Sequence, residues 1–130
     1  MAQNGQMNNE QPKMELKKRA YVYALKIIKF IDALNMKDAT ANVIAKQLLR
    51  SATSVGANII EAQAGSTKKD FTNFFAYALK SANESKFWLG LLKDSGKAQL
   101  ENADELLKET HELANILGAS ILTLKGKREV

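Results

Sequence analysis

Residues 39–64 read ATANVIAKQLLRSATSVGANIIEAQA, and the spacing of their apolar side chains decides the fold class. Apolar residues recur at alternating intervals of four and three, the spacing that lines one face of an α-helix. They are Ala41, Ala45, Leu48, Ala52, Val55, Ile59 and Ala62. Asp38 precedes this segment as a candidate N-cap, and Gly65 follows it as a candidate left-handed C-terminal stop. The pattern predicts one long amphipathic helix.

Three further segments show the same helical spacing. The first covers about residues 14–34, and its apolar face is widened by Val22, Leu25, Ile28 and Phe30. The third begins at Thr67 with a capping-box-like Thr-Lys-Lys-Asp and ends near Gly96. The fourth covers about residues 100–124, with acidic residues in its first turns and basic residues at its end, as the helix dipole favours.

Four helices joined by short turns predict an all-α fold, an antiparallel up-down-up-down four-helix bundle. We expect one domain over residues 13–125, with disordered tails over 1–12 and 126–130. The 130-residue chain contains no cysteine and no apolar run of the ~20 residues that a membrane span needs. The polar start of the chain does not resemble a signal peptide. We therefore expect a cytoplasmic protein without a membrane partner.

The sequence offers little catalytic chemistry. Without cysteine, disulfides, thiolate metal sites and cysteine nucleophiles are excluded. The single histidine, His111, lies between Thr110 and Glu112, which indicates an exposed or rim position rather than a metal ligand. A phosphate-binding glycine loop and a dinucleotide fingerprint are both absent. Lysine-based or carboxylate-only catalysis stays open, but nothing favours it. We expect a protein that is not an enzyme and takes no cofactor or metal.

Positive charge is concentrated in the first three segments. The net charge is +5, but residues 13–93 carry fourteen basic and six acidic residues, whereas residues 94–112 carry two basic and six acidic. A basic body of this kind can attract RNA, DNA or an acidic protein partner, although it is also compatible with an ordinary solvated surface. The candidate phosphate contacts, on presumed outer faces or turns, are Lys17, Lys18, Arg19, Lys26, Lys68 and Lys69.

A second, polar stripe follows the apolar one along the second helix. It comprises Gln47, Ser51, Ser54, Asn58 and Glu61. A solvent-facing stripe is one interpretation. However, the short side chains there allow two helices to approach closely, which favours a polar cluster that is buried and paired. Its candidate members are Arg50, Ser54, Asn58, Glu61 and Glu84.

Aromatic residues lie on more than one side of the third helix. Phe71, Phe74 and Trp88 fit core positions, whereas Phe75, Tyr77 and Phe87 need another cover. A neighbouring subunit is the simplest cover, and base stacking is less favoured because stacking aromatics usually lie on sheets. The candidate subunit interface comprises Phe75, Tyr77, Phe87 and Trp88.

Two stretches, LLRSATSVGANIIEAQAGSTKKDF (48–71) and YALKSANESKFWLGLL (77–92), carry a family pattern. The chain resembles the bacterial four-helix-bundle family of 23S rRNA intervening-sequence proteins. The hallmark segment of that family is matched by Arg50, Ser51, Ser54, Ala57, Asn58, Ile59 and Glu61. Its later elements are matched by Thr67 to Phe71, by Ala78, Leu79 and Glu84, and by Trp88 to Leu92. Residues 62–65 depart from the Gly-Tyr-Gly-Arg of many members, so this chain lacks the arginine of that turn.

The resemblance implies a fold more than a role. Similar bundles assemble as ring-shaped homopentamers, so a homo-oligomer is expected and a pentamer is favoured. Related accessory proteins of diversity-generating retroelements contact a reverse transcriptase and nucleic acid. Two functions follow: a non-enzymatic bundle that binds nucleic acid or a nucleic-acid enzyme through basic surfaces, or a protein–protein interaction scaffold without nucleic-acid affinity.

Overall fold

A computed structural model describes residues 15–65 and 67–129, and four α-helices account for nearly all of them. The helices are α1 (Leu16–Asp32), α2 (Ala39–Ala64), α3 (Lys68–Asp94) and α4 (Leu100–Glu129). Each helix packs against its neighbours in the chain, and α1 also packs against α4, which closes a four-sided bundle. The expected all-α bundle is confirmed.

Side-chain and glycine caps set the helix ends. The Asp38 carboxylate accepts a hydrogen bond from the backbone N–H of Ala41 at 2.9 Å, and the Thr67 hydroxyl accepts one from that of Asp70 at 3.0 Å. Gly96 has a φ of 74°, the left-handed conformation expected after α3. Gly65 differs from the expectation, because its φ is −70° and its ψ 156°. The chain leaves α2 in an extended conformation, so no left-handed residue is needed there.

The last helix is longer than the sequence pattern predicts. We expected its end near Leu124 and a disordered tail over 126–130, but α4 continues to Glu129. No proline interrupts this segment, and a Cβ built on Gly126 would meet nothing within 4 Å, so nothing in the packing stops the helix. The other expected tail, residues 1–12, lies outside the described residues.

The core changes in character along the bundle. Near the α1–α2 turn it contains large side chains, among them Tyr23, Ile27, Leu48, Leu92 and Leu113. Toward the other end, alanines are interleaved with larger side chains such as Ile59, Phe75 and Leu117. Small residues bring the helices close, as where a Cβ built on Gly56 of α2 would lie 3.5 Å from the Cβ of Ala20. Burial of each large side chain stabilises the fold by roughly 1.5–3 kcal/mol.

Candidate interaction surfaces

Lysines from three helices meet at one end of the bundle. The topology brings together the starts of α1 and α3 and the ends of α2 and α4. We call this the basic end, and its exposed lysines are Lys17, Lys18, Lys68, Lys69 and Lys125. None of the five takes part in an ion pair among the described residues. Glu15, Glu61 and Asp70 lie at the same end. These three carboxylates and the five lysines together carry a net charge of +2.

Two of the expected phosphate contacts have a different role. The Arg19 guanidinium donates to both carboxylate oxygens of Glu109, with Nε–Oε2 at 2.8 Å and Nη2–Oε1 at 3.0 Å, and it also donates to Glu112. The bond to Glu109 raises the pKa of Arg19 above its already high ordinary value, despite the opposing effect of partial burial. Lys26 lies 3.8 Å from a Glu105 oxygen. Both cations are thus engaged with α4, and Arg19 is a structural residue rather than a free phosphate contact.

A buried hydroxyl pair lies beneath these ion pairs. The Tyr23 hydroxyl lies 2.6 Å from Oγ1 of Thr110, which in turn donates to the carbonyl oxygen of Leu106 at 2.6 Å. Because the single Thr110 proton is used in that bond, Tyr23 is the donor to Thr110. Burial raises the pKa of Tyr23 to about 12. Sequence reasoning missed this pair, since the two residues are 87 positions apart.

Two open grooves follow the contact between α1 and α4. One, of about 350 Å³, has Lys26, Lys29 and Glu105 among its lining residues. The next, of about 270 Å³, is lined in part by Arg19 and Val22. The contact between α1 and α4 therefore relies on ion pairs and one hydroxyl pair as well as on apolar packing.

The expected polar cluster forms only in part. Arg50 pairs with Glu84 across α2 and α3, and it also donates to the Gln47 side chain at 3.0 Å. The indole N–H of Trp88 donates to Glu84 at 2.9 Å, and this bond, ahead of the bond from Arg50, lowers the pKa of Glu84 despite opposing desolvation. The Arg50 side chain is 56% exposed, so the expectation of a buried pair is wrong. An exposed ion pair of this kind contributes at most about 1 kcal/mol.

The buried polar contact of this face is formed by other residues. Ser51 and Ser85 are fully buried, with their hydroxyl oxygens 2.8 Å apart. Asn58 donates to the carbonyl oxygen of Ser54 within α2, and Glu61 is exposed, so neither joins Glu84 as expected. The short side chains do mark a close approach of α2 and α3, but hydroxyls rather than charges fill it.

The aromatic interface is also revised. Phe75 is only 4% exposed and lies against Phe71, with ring centroids 4.5 Å apart, so the chain's own core covers it. Its assignment to a subunit interface is wrong, because it belongs to the buried core cluster that also contains Ile59 and Leu117. Tyr77 and Phe87 are 54% and 59% exposed, while Trp88 is partly buried against the core.

A second exposed apolar surface was not foreseen. On α1, Tyr21, Leu25 and Ile28 are 65%, 43% and 41% exposed. The sequence pattern assigned Leu25 and Ile28 to a widened core face, but the core takes the face of Ala20, Tyr23 and Ile27. The sequence signal for this surface is the spacing of Tyr21, Leu25 and Ile28 by four and three residues. A helix with apolar residues on two separate faces shows such a second stripe.

Within residues 15–65 and 67–129, no group of three or more histidine, cysteine, aspartate or glutamate side chains is arranged to hold a metal ion. His111 is exposed on α4. The helices that the structure describes include none with enough length and apolar character to cross a membrane.

Comparison with known proteins places the chain in a family. Residues 12–119 match the family described as 23S rRNA-intervening sequence protein. The chain belongs to this family. It is also similar to a crystal structure from Bacteroides thetaiotaomicron, described as a protein with unknown function from the S23 ribosomal protein family. The two share 33% identity with a TM-score of 0.76, over 82% of this chain and 98% of the other. Among curated proteins, no match to the chain was found.

In this intervening-sequence protein, the residues that carry the family resemblance gather along the contact of α2 with α3. Ser51 meets Ser85 there in the interior, and Arg50 meets Glu84 at the surface above them. Trp88 joins the same network through Glu84. The motif thus has a packing role in this chain, because the Ser51–Ser85 contact fills the close approach of α2 and α3 and the Arg50–Glu84 pair crosses between them, while the Trp88–Glu84 bond lies within α3.

Proposed function

We propose that this intervening-sequence protein is a non-enzymatic cytoplasmic homo-oligomer that binds nucleic acid, or an enzyme acting on nucleic acid, through its basic end. The observation that carries the proposal is the set of five exposed lysines gathered there without ion pairs among the described residues. Most described acidic side chains of α4 instead face α1 or α3 and pair with cations there.

Self-association strengthens this surface. One bundle presents a surplus of two charges at its basic end, which is weak for phosphate binding by itself. Several copies with their basic ends side by side add their fields and extend the surface over more phosphates. A pentamer is the favoured stoichiometry, in line with the homopentamers of the bundles that the sequence resembles. The exposed rings of Tyr77 and Phe87 support contacts between copies.

A salt titration tests the nucleic-acid part. Purified protein is titrated into mixed RNA and DNA oligonucleotides at about 50 and 200 mM salt, and the affinity is expected to fall steeply because counterions are released from the phosphates. For six or more phosphate contacts the fall is about a thousandfold or more. Affinity that does not change with salt would contradict the proposal.

Matched charge reversals then separate local from overall charge. Lys17→Glu with Lys68→Glu changes the basic end, whereas Lys46→Glu with Lys80→Glu changes exposed lysines in the middle of α2 and α3 by the same net charge. We expect the first pair to weaken binding at least tenfold more than the second. Equal losses would mean that net charge alone attracts the nucleic acid.

The second candidate function is a protein–protein scaffold whose charge serves solubility. The exposed apolar residues on α1 and α3 favour it, since such surfaces mark protein contacts. It predicts self-association without nucleic-acid binding even at about 50 mM salt. Partners that are recovered after nuclease treatment would support it over the first function.

A further inference from the structure

The outer face of α1 carries a regular stripe that its own bundle does not cover. Lys18, Tyr21, Leu25, Ile28 and Asp32 follow one another at intervals of three, four, three and four, and all five are exposed. This spacing is the heptad pattern of a seam between two packed helices. The core residues of α1, Ala20, Tyr23, Ile27 and Phe30, already form its seam with the bundle. The stripe is therefore a second seam on the opposite side of the same helix.

The charges at the two ends of this stripe are opposite in sign and symmetric in position. Lys18 and Asp32 each lie seven residues from Leu25, or roughly 10 Å along the helix axis at 1.5 Å per residue. Among the described residues, neither takes part in an ion pair. A helix that runs antiparallel across this face, with its own Leu25 opposite Leu25, places its Asp32 beside Lys18 and its Lys18 beside Asp32.

We propose that α1 is a two-fold contact, in which the stripe packs antiparallel against the same stripe of a second copy of this chain. Leu25 lies at the two-fold axis, Tyr21 of each copy lies against Ile28 of the other, and Lys18 pairs with Asp32 at both ends. The apolar side chains supply the affinity, because their exposed area is removed from water. The charges select the direction, since a parallel pairing would place Lys18 beside Lys18 and Asp32 beside Asp32.

The contact rests on one part of the proposed function, namely self-association. Because it is antiparallel, it places the basic ends of the two copies at opposite ends of the pair and engages Lys18, so the side-by-side arrangement of basic ends needs a different contact. A two-fold contact is isologous, using the same patch on both copies, whereas a ring such as a pentamer needs two different patches that meet head to tail. The exposed aromatics of α3 are available for the second kind of contact. The α1 stripe then joins two bundles, or two rings, in pairs.

Single-cysteine crosslinking tests whether Leu25 meets Leu25. The natural chain has no cysteine, so Leu25→Cys introduces one thiol per copy. A short bismaleimide crosslinker is expected to yield a covalent dimer within minutes at micromolar protein. The matched control is Ala57→Cys, an exposed residue of α2 outside the stripe. Failure of Leu25→Cys to crosslink, or equal crosslinking of the two variants, would overturn the proposal.

Charge reversal tests the direction of the pairing. Lys18→Asp and Asp32→Lys each place like charges together at both ends, and each is expected to weaken the dimer about tenfold in equilibrium sedimentation. The double variant restores opposite charges and is expected to return the dissociation constant to within about threefold of the original. Lys46→Asp, which changes an exposed lysine of α2, serves as the control and is expected to have no effect. A double variant as weak as the single ones would overturn the antiparallel arrangement.

The outcomes also separate this contact from the proposed function. A protein that self-associates but gives no Leu25→Cys crosslink overturns the two-fold contact and leaves the homo-oligomer standing. A protein that stays monomeric at high concentration overturns both. Crosslinking of Leu25→Cys together with rescue by the double charge reversal supports the contact, whatever the nucleic-acid titration shows.

Discussion

The hydroxyl pair of Tyr23 and Thr110 is the one buried polar contact among the described residues that ties α1 to α4. Because Thr110 keeps its bond to the Leu106 carbonyl when Tyr23 is changed, Tyr23→Phe leaves no buried group without a partner. We expect this variant to lower the free energy of unfolding by about 1 kcal/mol at neutral pH, the usual net contribution of one hydrogen bond.

The raised pKa of Tyr23 makes the same pair sensitive to alkaline pH. In the unfolded chain the phenol loses its proton near pH 10, whereas in the folded protein burial holds its pKa at about 12. Between these values the unfolded state binds one proton fewer, so the free energy of unfolding falls by about 1.4 kcal/mol per pH unit from this group. Below pH 10 the phenol is protonated in both states, so the full contribution of Tyr23 to the free energy of unfolding is present.

Urea unfolding of the natural protein and of Tyr23→Phe between pH 8 and 11 isolates this effect, because the lysines titrate in both. The two free energies are expected to converge above about pH 10, and then to cross as the natural protein loses stability. A constant difference across the range would mean that the Tyr23 hydroxyl titrates normally in the fold.

At the scale of the helices, replacing either of two glycines, one inside α3 and one just after its end, by alanine is expected to change the stability in opposite directions. Gly96 closes α3 in a Schellman arrangement, in which its N–H donates to the Lys93 carbonyl at 3.1 Å and the Lys97 N–H to that of Leu92 at 3.0 Å. With a φ of 74°, Gly96→Ala is expected to lower the free energy of unfolding by about 1–2 kcal/mol.

Gly90 supplies the matched control within the same helix. It lies inside α3, and a Cβ built there would meet nothing within 4 Å. Gly90→Ala is therefore expected to stabilise the protein by up to about 1 kcal/mol, the difference in helix propensity. Thermal unfolding of both variants checks the pair, and a stabilising Gly96→Ala would contradict the left-handed end of α3.

The elements that the sequence predicts are those fixed by short-range rules. Residues within one or two turns of each other determine these features, namely the 39–64 helix, its Asp38 cap, the Thr67 start and the Gly96 end. Gly65 was misjudged because the chain can leave a helix in an extended conformation just as well, and the choice depends on the following turn. The continuation of α4 to Glu129 shows that the end of an apolar pattern does not by itself end a helix, and that a residue or contact that stops the helix is also needed.

The contacts that the sequence does not predict are those between distant helices. Arg19 and Glu109 are 90 positions apart, and only the rotation of each helix about its axis decides that they meet. The rotation of α3 likewise buries Phe75, and the rotation of α1 exposes Leu25. The sequence does not predict either outcome, because apolar residues on several sides of a helix do not indicate which side faces the core. The sequence places Arg50 and Glu84 in one candidate polar cluster, but it does not predict that they pair with each other at an exposed position.

At the scale of the whole molecule, the bundle is held together unevenly. The contact of α2 with α3 is close and contains buried serine hydroxyls, whereas α1 faces α4 across open grooves bridged by Arg19 and Lys26. Ion pairs that are partly exposed are weakened by salt, while apolar contacts are not. The helix that carries the proposed two-fold contact is therefore also the one held least tightly by its own bundle.

Hydrogen exchange can detect this difference. In Leu25→Glu, which removes the proposed pairing of α1, the amides of α1 are expected to exchange before those of α3 through local opening that leaves α2, α3 and α4 folded. Raising the salt concentration is expected to accelerate exchange in α1 selectively.

Arg19→Gln at low salt is expected to reproduce the faster exchange and to show little further response to salt, because the Glu109 pair is already lost. If α1 and α3 exchange at one common rate in every case, the bundle opens only as a whole, and the ion pairs between α1 and α4 add nothing that separates the first helix from the others.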